Sequence, residues 1–403
     1  MRRAWWPLGP ASVAVPAAAI LIVVLAMTWP MLGWPFPLWI QTSAQFHQQF
    51  TWAGMIAGTA SCWYATVLHA KDRIWAQPRA PRLGPPAVTR HVTTLLCWFV
   101  GAYVLALLPL VVSTVVAGGI GSPDPLVMLS GVLAMVAAVA LGYAVGATVP
   151  SLVVVPIIPL GFYALRVAGS ANGERFAAVS PVLGLDPMLG ERESLPLLVF
   201  RVALFVAVAI AAARFAGWAL SRTALWRGVA YLLVPAALAT VALVRPPTTY
   251  IADERPPSTC TEQRAIRYCV HVDHSPRLAA LVRAVDPVIE RFGTKPANVD
   301  QVWDQALLPR PVPGVEIAWL EPDGTIATEF ATTAAGVYAC YDEDDEDVSK
   351  VAIDVSHYLR TGVTEDTLST LSPSEVRRWL ARHQTQLQTC TLTADQLPGA
   401  QTR

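Results

Sequence analysis

The stretch LGYAVGATVPSLVVVPIIPLGFYAL, Leu141 to Leu165, decides what kind of chain this is. It contains no charged residue. Val149-Pro150-Ser151 divides it, because proline disfavours helix both at its own position and at the residue before it. Each half continues an apolar run, about 126–149 on one side and 151–168 on the other. A bilayer core ~30 Å thick is crossed by roughly 20 apolar helical residues. Two such runs joined by three residues read as consecutive membrane spans. Gly142 and Gly146 form a G-x-x-x-G that lets a neighbouring helix approach closely. Pro156 and Pro159 then interrupt the following run.

Five more stretches outside this pair are apolar enough or nearly so, at about 12–29, 50–70, 92–117, 196–219 and 229–245. The whole chain agrees. Of its 403 residues 54% are hydrophobic and only 14% charged, and its mean hydropathy is +0.45. That balance excludes a soluble globule and fits a polytopic membrane protein. The first run follows Arg2-Arg3 as a secretory signal would, but Met27-Thr28-Trp29-Pro30 is a poor cleavage site, so a retained helix is expected. The expected fold is a membrane all-α bundle of about seven transmembrane helices, residues 1–246. A small extracytoplasmic α+β domain, residues 247–403, follows it.

Net charge is zero, yet it is unevenly shared. Residues 1–246 hold 15 Lys+Arg and 6 Asp+Glu, while 247–403 hold 14 and 23, so the halves are +9 and −9. Arg2, Arg3, Lys71, Arg73, Arg79, Arg82, Arg90, Arg222 and Arg227 all fall on one side if the N-terminus is cytoplasmic, as cations do. Asp124, Glu174, Asp186, Glu191 and Glu193 fall on the other. Seven crossings then leave the C-terminal part outside. Arg166 and Arg201 lie near the outer ends of their helices and Arg214 near an inner end, where long side chains can snorkel.

Cys62 and Cys97 lie within the expected helices and read as small apolar residues. Cys260, Cys269, Cys340 and Cys390 all lie in the C-terminal part. Four cysteines on an oxidising side point to two disulfides, with three connectivities open. Pro246-Pro247 and Pro256-Pro257 stiffen the exit from the membrane. PRLAALVRAVDPVIERF, from Pro276, is helical in period, with Leu278, Leu281, Val282, Val285 and Ile289 on one face. GVEIAWL and TIATEF flank Glu321-Pro322-Asp323-Gly324, which reads as a hairpin. Helices are expected at about 347–360 and from Ser372, where Glu375 closes a capping box.

Chemical motifs are scarce. There is no G-x-x-x-x-G-K-[ST], no H-E-x-x-H and no G-x-S-x-G, so neither an ATP site nor a zincin nor an α/β-hydrolase is indicated. An enzyme is not expected, nor a cofactor bound by this chain, nor a nucleic-acid partner. His271, Asp273 and His274 are the best metal candidate, but no second ligand cluster supports them, and a disulfide cysteine followed by a polar helix start is the preferred reading. The run Asp342–Asp347 lacks the spacing and central glycine of a calcium loop. No Asp or Glu sits mid-helix, which argues against a proton- or sodium-coupled carrier.

Leu141–Leu165, with its G-x-x-x-G, tight inner turn and two prolines, resembles the fourth and fifth helices of ABC-2-type transporter permeases of high-GC Gram-positive bacteria. The layout over about 1–220 is similar too, with an inside N-terminus, a basic loop after the second helix and a longer outer segment at 170–195. There the resemblance implies that SPVLGLDPML forms the short re-entrant elements the family has. The stretch from Tyr268-Cys269-Val270-His271 is similar to extracytoplasmic domains carried by some members. The resemblance implies a permease subunit paired with a second copy or paralogue, in the lipid bilayer. A separate cytosolic ABC ATPase would drive it by pressing on the loop after the second helix. His69, Lys71, Asp72, Arg73, Ile74 and Trp75 would form that coupling element, since Ile74 and Trp75 are apolar residues that charge anchoring does not need; the alternative is a simple membrane-surface anchor, since Trp also favours the headgroup region. The substrate would be lipid-like or amphipathic. The alternative is a membrane-anchored binding, sensing or accessory protein without transport.

A membrane-impermeant thiol reagent should label Cys260, Cys269, Cys340 and Cys390 of intact cells only after reduction. Labelling without reduction would show that the disulfides do not form.

Overall fold

The computed structural model describes residues 9–33, 37–69, 84–171, 174–183, 191–221, 225–252, 257–307, 314–317, 325–340 and 346–398. They form two compact units that divide after Ile251.

The first unit is helical. Its elements are α1 (Ala11–Leu32), α2 (Trp39–Gln48), α3 (Phe50–Leu68), α4 (Gly84–Val116), α5 (Pro125–Thr148), α6 (Ile157–Ala171), the single turn α7 (Glu174–Ala177), β1 (Glu191–Glu193), α8 (Leu195–Ser221), α9 (Leu225–Val244) and β2 (Tyr250–Ala252), which pairs with β1. Five segments among the described residues are long and apolar enough to cross a membrane: Ala11–Leu32, Pro86–Val116, Pro125–Thr148, Leu152–Gly169 and Leu195–Leu220. The chain is a multi-pass membrane protein. The other two expected spans are of a different kind. Val229–Val244 is apolar but shorter. Helix α3 has 19 residues, but Thr51, Thr59, Ser61, Tyr64 and Thr66 interrupt its apolar run and most of the helix is interior.

Helix α5 is the most buried of the five spans and Leu152–Gly169 the least. Asp124 starts α5, its Oδ1 accepting from Leu126 N at 2.9 Å and Val127 N at 3.1 Å, with Pro125 at the first position. Once started, α5 is packed by its lack of side chains. A Cβ at Gly142 would overlap the Gly58 carbonyl of α3, and one at Gly146 would overlap the Cys62 carbonyl. A Cβ at Gly131 would overlap the Phe46 carbonyl of α2. The G-x-x-x-G therefore seats α5 on α3 at backbone contact.

The helices turn at two ends. At the strand end, Leu38 bridges Ile120, Ser113 Oγ donates to Leu32 O at 3.1 Å, and β1 meets β2. At the opposite end lie the C-terminus of α3, the start of α4, and the turn from α5 through Val149-Pro150-Ser151 to α6.

The second unit is α+β. Its sheet has the order β3 (Ser258–Gln263), β4 (Ile266–His271), β5 (Gln301–Asp304), β6 (Val315–Ile317). The first pair is antiparallel and the other two pairs are parallel. Arg264 and Ala265 turn the β3–β4 hairpin with φ of 51° and 60°. Cys260 lies opposite Cys269 in this pair and is disulfide-bonded to it; Cys340 bonds Cys390. The connectivity that the sequence left open is thus settled, and two disulfides point to an extracytoplasmic location for this unit. Helix α10 (Leu278–Phe292) buries Leu281, Val285 and Ile289 as its period implies. Helices α11 (Thr325–Ala334), α12 (Val337–Cys340), α13 (Glu346–Thr361) and α14 (Pro373–Gln388) complete the core. Ser372 and Glu375 form the expected capping box.

One expectation fails here. TIATEF is not the second strand of a hairpin but the start of α11. Ile326, Phe330 and Ala334 recur every fourth residue and are all buried, so the helical period outweighs the short alternation in TIATEF. The 321–324 turn lies outside the described residues, as do 342–345 of the acidic run; Glu346 and Asp347 open α13, where anions favour a helix start.

Gly142→Leu and Gly146→Leu should each destabilise the protein by about 1–3 kcal/mol through overpacking. Gly101→Ala and Gly161→Ala, where among the described residues nothing lies within 4 Å of the added Cβ, should cost little. Thermal unfolding in nanodiscs distinguishes the two pairs.

Candidate functional site

The site at the strand end begins with α2. Its sequence, WIQTSAQFHQ, is rich in amides and hydroxyls, yet Thr42, Ser43, Gln45 and His47 are all buried. Each polar residue must therefore find a partner inside the bundle. The Thr42 and Thr114 hydroxyls bond at 2.8 Å, Ser43 Oγ accepts from Asp124 N at 3.0 Å, and Tyr103 O–H donates to Phe46 O at 2.5 Å. These contacts fix α2 against α4 and α5, with Gly131 admitting its backbone. The sequence reading passed over this helix as part of an outer connection.

His47, the last-turn residue of α2, is fully buried, and its Nε2 lies 2.8 Å from Glu193 Oε1 on β1. An ionised carboxylate only accepts, so Nε2 carries the proton. Burial pushes the Glu193 carboxyl up, but His47, through charge and hydrogen bond, and then the Arg201 charge hold it below the usual carboxylate range. Glu193 is 6% exposed, and among the described residues its Oε2 has no hydrogen-bond partner.

Arg201, on α8, is 0% exposed. It does not snorkel, as its place near the helix end had led us to expect. Its Nη1 donates to Ala177 O and its Nη2 to Pro181 O, both at 3.0 Å, and its guanidinium carbon lies 5.5 Å from the Phe205 ring centroid. Two buried carbonyls, that of the last residue of α7 and that of Pro181 after it, supply what water would supply at the interface. Arg201 thereby clamps the segment 177–181 onto α8. Ser180, the first residue of the expected re-entrant SPVLGLDPML, is buried here; 184–190 lie outside the described residues.

Beside this group is a cavity of about 420 Å³. Ser43, Ile120, Asp124, Glu191, Arg192 and Glu193 are among its lining residues. It brings two carboxylates from β1 together with the one that caps α5. None of these was singled out from sequence; the signal was the polar string QTSAQFHQQ at 41–49, flanked by apolar segments.

The opposite end has its own polar group. Tyr143 is fully buried on α5, and its hydroxyl lies 3.0 Å from His69 Nε2 and 2.8 Å from His91 Nδ1. A phenol has one proton to give. It donates to one imidazole and accepts N–H from the other, so the two rings play opposite roles. The three residues tie together the end of α3, the first turns of α4 and the last turns of α5. Of the expected coupling residues His69, Lys71, Asp72, Arg73, Ile74 and Trp75, only His69 is described. Its ring hydrogen-bonds Tyr143 inside the bundle.

In the second unit, His274 Nδ1 hydrogen-bonds Asp304 Oδ2, an oxygen that also accepts from His271 N at 3.2 Å. Asp273 N donates to His271 Nδ1 at 3.3 Å. The candidate ligands His271, Asp273 and His274 thus serve the turn that follows β4. Among the described residues no group of three His, Cys, Asp or Glu could hold a metal ion.

No family model, no curated protein and no solved structure matches this chain. Its own geometry defines it as a multi-span helical membrane protein with a C-terminal mixed α/β region bearing two disulfides.

His47→Ala leaves the Glu193 carboxylate buried without its partner, a loss of roughly 3–5 kcal/mol. The His47→Ala/Glu193→Ala double variant should lose less than the sum of the single variants, with a coupling of about 0.5–3 kcal/mol in a double-mutant cycle on thermal unfolding.

Proposed function

We propose that this chain is the membrane-spanning permease subunit of an ABC-type exporter. It works with a second copy or paralogue, is powered by a separate cytosolic ATPase, and moves a lipid-like or amphipathic substrate. In this reading the N-terminus is cytoplasmic, seven helices cross the membrane, and the connection between α3 and α4 receives the ATPase.

The observation that supports it most is the His69–Tyr143–His91 group. The connection 70–83 leaves α3 beside His69 and joins α4 seven residues before His91. Both histidines bind the same α5 hydroxyl. Helix α5 in turn lies on α3 at Gly142 and Gly146 with no side chain between. A push on the connection therefore reaches the central helix through two hydrogen bonds and a backbone contact. The lack of any nucleotide-binding motif in the sequence requires that the energy come from another chain. One observation favours the alternative of a binding or accessory protein: the second unit has a hydrophobic core and two disulfides of its own.

Purification from native membranes separates the readings. A permease co-purifies with a cytosolic ATPase, and scrambling 71–90 at unchanged net charge abolishes ATP hydrolysis by the complex. Tyr143→Phe keeps the ATPase bound but lowers substrate-stimulated hydrolysis about ten-fold, a loss of ~1.4 kcal/mol in coupling. If no ATPase ever associates, the permease reading fails.

A further inference from the structure

We propose that Cys260–Cys269 is a redox-sensitive bond, which a dithiol opens to release β3 from β4 without unfolding the second unit, whereas Cys340–Cys390 is structural. The inference concerns this unit alone and holds whether or not the chain transports.

Each pair has one buried and one partly exposed cysteine, so access alone does not separate them. Their surroundings do. Cys340 belongs to the main core of the unit, with Cys390 packed against it. Their bond joins α12 to the residue that follows α14 and its cap, across 50 residues of chain. Opening it cuts into packing that all the helices of the unit share. Cys260 and Cys269 belong instead to a satellite cluster with Trp303 and Leu307, apart from the main core.

The strand that Cys260 holds can come away by itself. Strand β3 is at the edge of the sheet, pairs only with β4, and has no buried residue. Segments with few buried apolar contacts open at low free energy while the rest of a domain stays folded. The turn end of the hairpin has other attachments: Gln263 Nε2 donates to Asp286 Oδ2 and Arg264 Nη2 to Glu290 Oε1, both at 2.9 Å and both on α10. The start of β3, Ser258 to Cys260, has only the backbone ladder and the disulfide. In the opening reaction a thiolate of the dithiol attacks Cys260 Sγ. The bond to Cys269 breaks, a mixed disulfide forms on Cys260, and Cys269 leaves as a thiolate and takes up a proton. The second thiolate of the dithiol then attacks its own sulfur in the mixed disulfide and releases Cys260. Two cysteine thiols are formed and the dithiol becomes a disulfide. The freed edge of β4 is a row of unpaired backbone groups, a template for pairing with another strand.

Full-length protein in nanodiscs is equilibrated with graded dithiothreitol, quenched in acid, denatured and alkylated, and each cysteine is scored by peptide mass spectrometry. Cys260 and Cys269 should become alkylated at a dithiothreitol concentration about ten-fold or more below that needed for Cys340 and Cys390. At that lower concentration, hydrogen exchange should quicken about ten-fold or more in β3 and stay unchanged in α10, α13 and α14. Oxidised dithiothreitol should restore the original exchange. The Cys260→Ser/Cys269→Ser variant should fold and exchange like the selectively reduced protein, whereas Cys340→Ser/Cys390→Ser should lose protection throughout the unit. Opening of both bonds together, prior opening of Cys340–Cys390, or loss of protection in α10, α13 and α14 on opening Cys260–Cys269 overturns the proposal. Failure of the Cys260→Ser/Cys269→Ser variant to fold overturns it too, because the bond is then structural.

Discussion

In a bilayer, lipid tails are as apolar as leucine, so burying leucine between helices gains little and close backbone approach gains more. Helix α5 is built on that constraint. At Gly131 it meets the carbonyl of Phe46, at Gly142 that of Gly58, and at Gly146 that of Cys62. The contact with Phe46 brings α2 inward far enough for His47 to reach Glu193. The contact with Cys62 sets the separation at which Tyr143 lies between His69 and His91. Both polar groups of the unit hang on distances fixed by the absence of three side chains.

The polar groups also show how an apolar bundle tolerates charge. Taking an arginine, a glutamate and a histidine out of water is costly unless each is answered. Arg201 is answered by two carbonyls that α7 and the residues after it present. Glu193 is answered by His47, and by Arg201 through space. The cost is met by folding a connecting segment and a short polar helix into the end of the bundle. Apolar contacts help to hold both: Ala177, Ala178 and Leu183 pack with Leu197 and Ala242, and Phe46 of α2 joins the main core.

Much of this was legible in the sequence. Hydropathy located most of the apolar helices to within a few residues, because membrane spans advertise themselves by length and composition, although α4 starts eight residues before its expected run and α6 six residues after its own. The capping box at Ser372 and the apolar face of α10 were readable because their signals are local. What was not legible depended on partners distant in sequence. Helix α2 is too polar to resemble a buried element until Thr114, Asp124 and Glu193 are seen around it. Arg201 looks like any arginine near a helix end until the carbonyls of Ala177 and Pro181 close over it. TIATEF was too short to show whether its period was two or four; Phe330 and Ala334, just beyond, decide it. Residues 71–75, expected to form a coupling element, lie outside the described part of the chain, so only His69 gained a structural setting.

The two disulfides differ in when they become possible during synthesis. Cys260 and Cys269 are 9 residues apart and face one another across a hairpin, so the bond can close as soon as that hairpin has crossed the membrane. Cys340 and Cys390 are 50 residues apart, and closing so long a loop restricts the unfolded chain by about 4 kcal/mol in the chain-entropy picture. That bond must wait until α13 and α14 have followed. Until then Cys340 is a free thiol on the oxidising side, with the already closed Cys260–Cys269 pair in the same unit. A chain stalled in that interval is exposed to thiol–disulfide exchange. The order of export, from hairpin to last helix, thus protects the pairing that the finished fold needs.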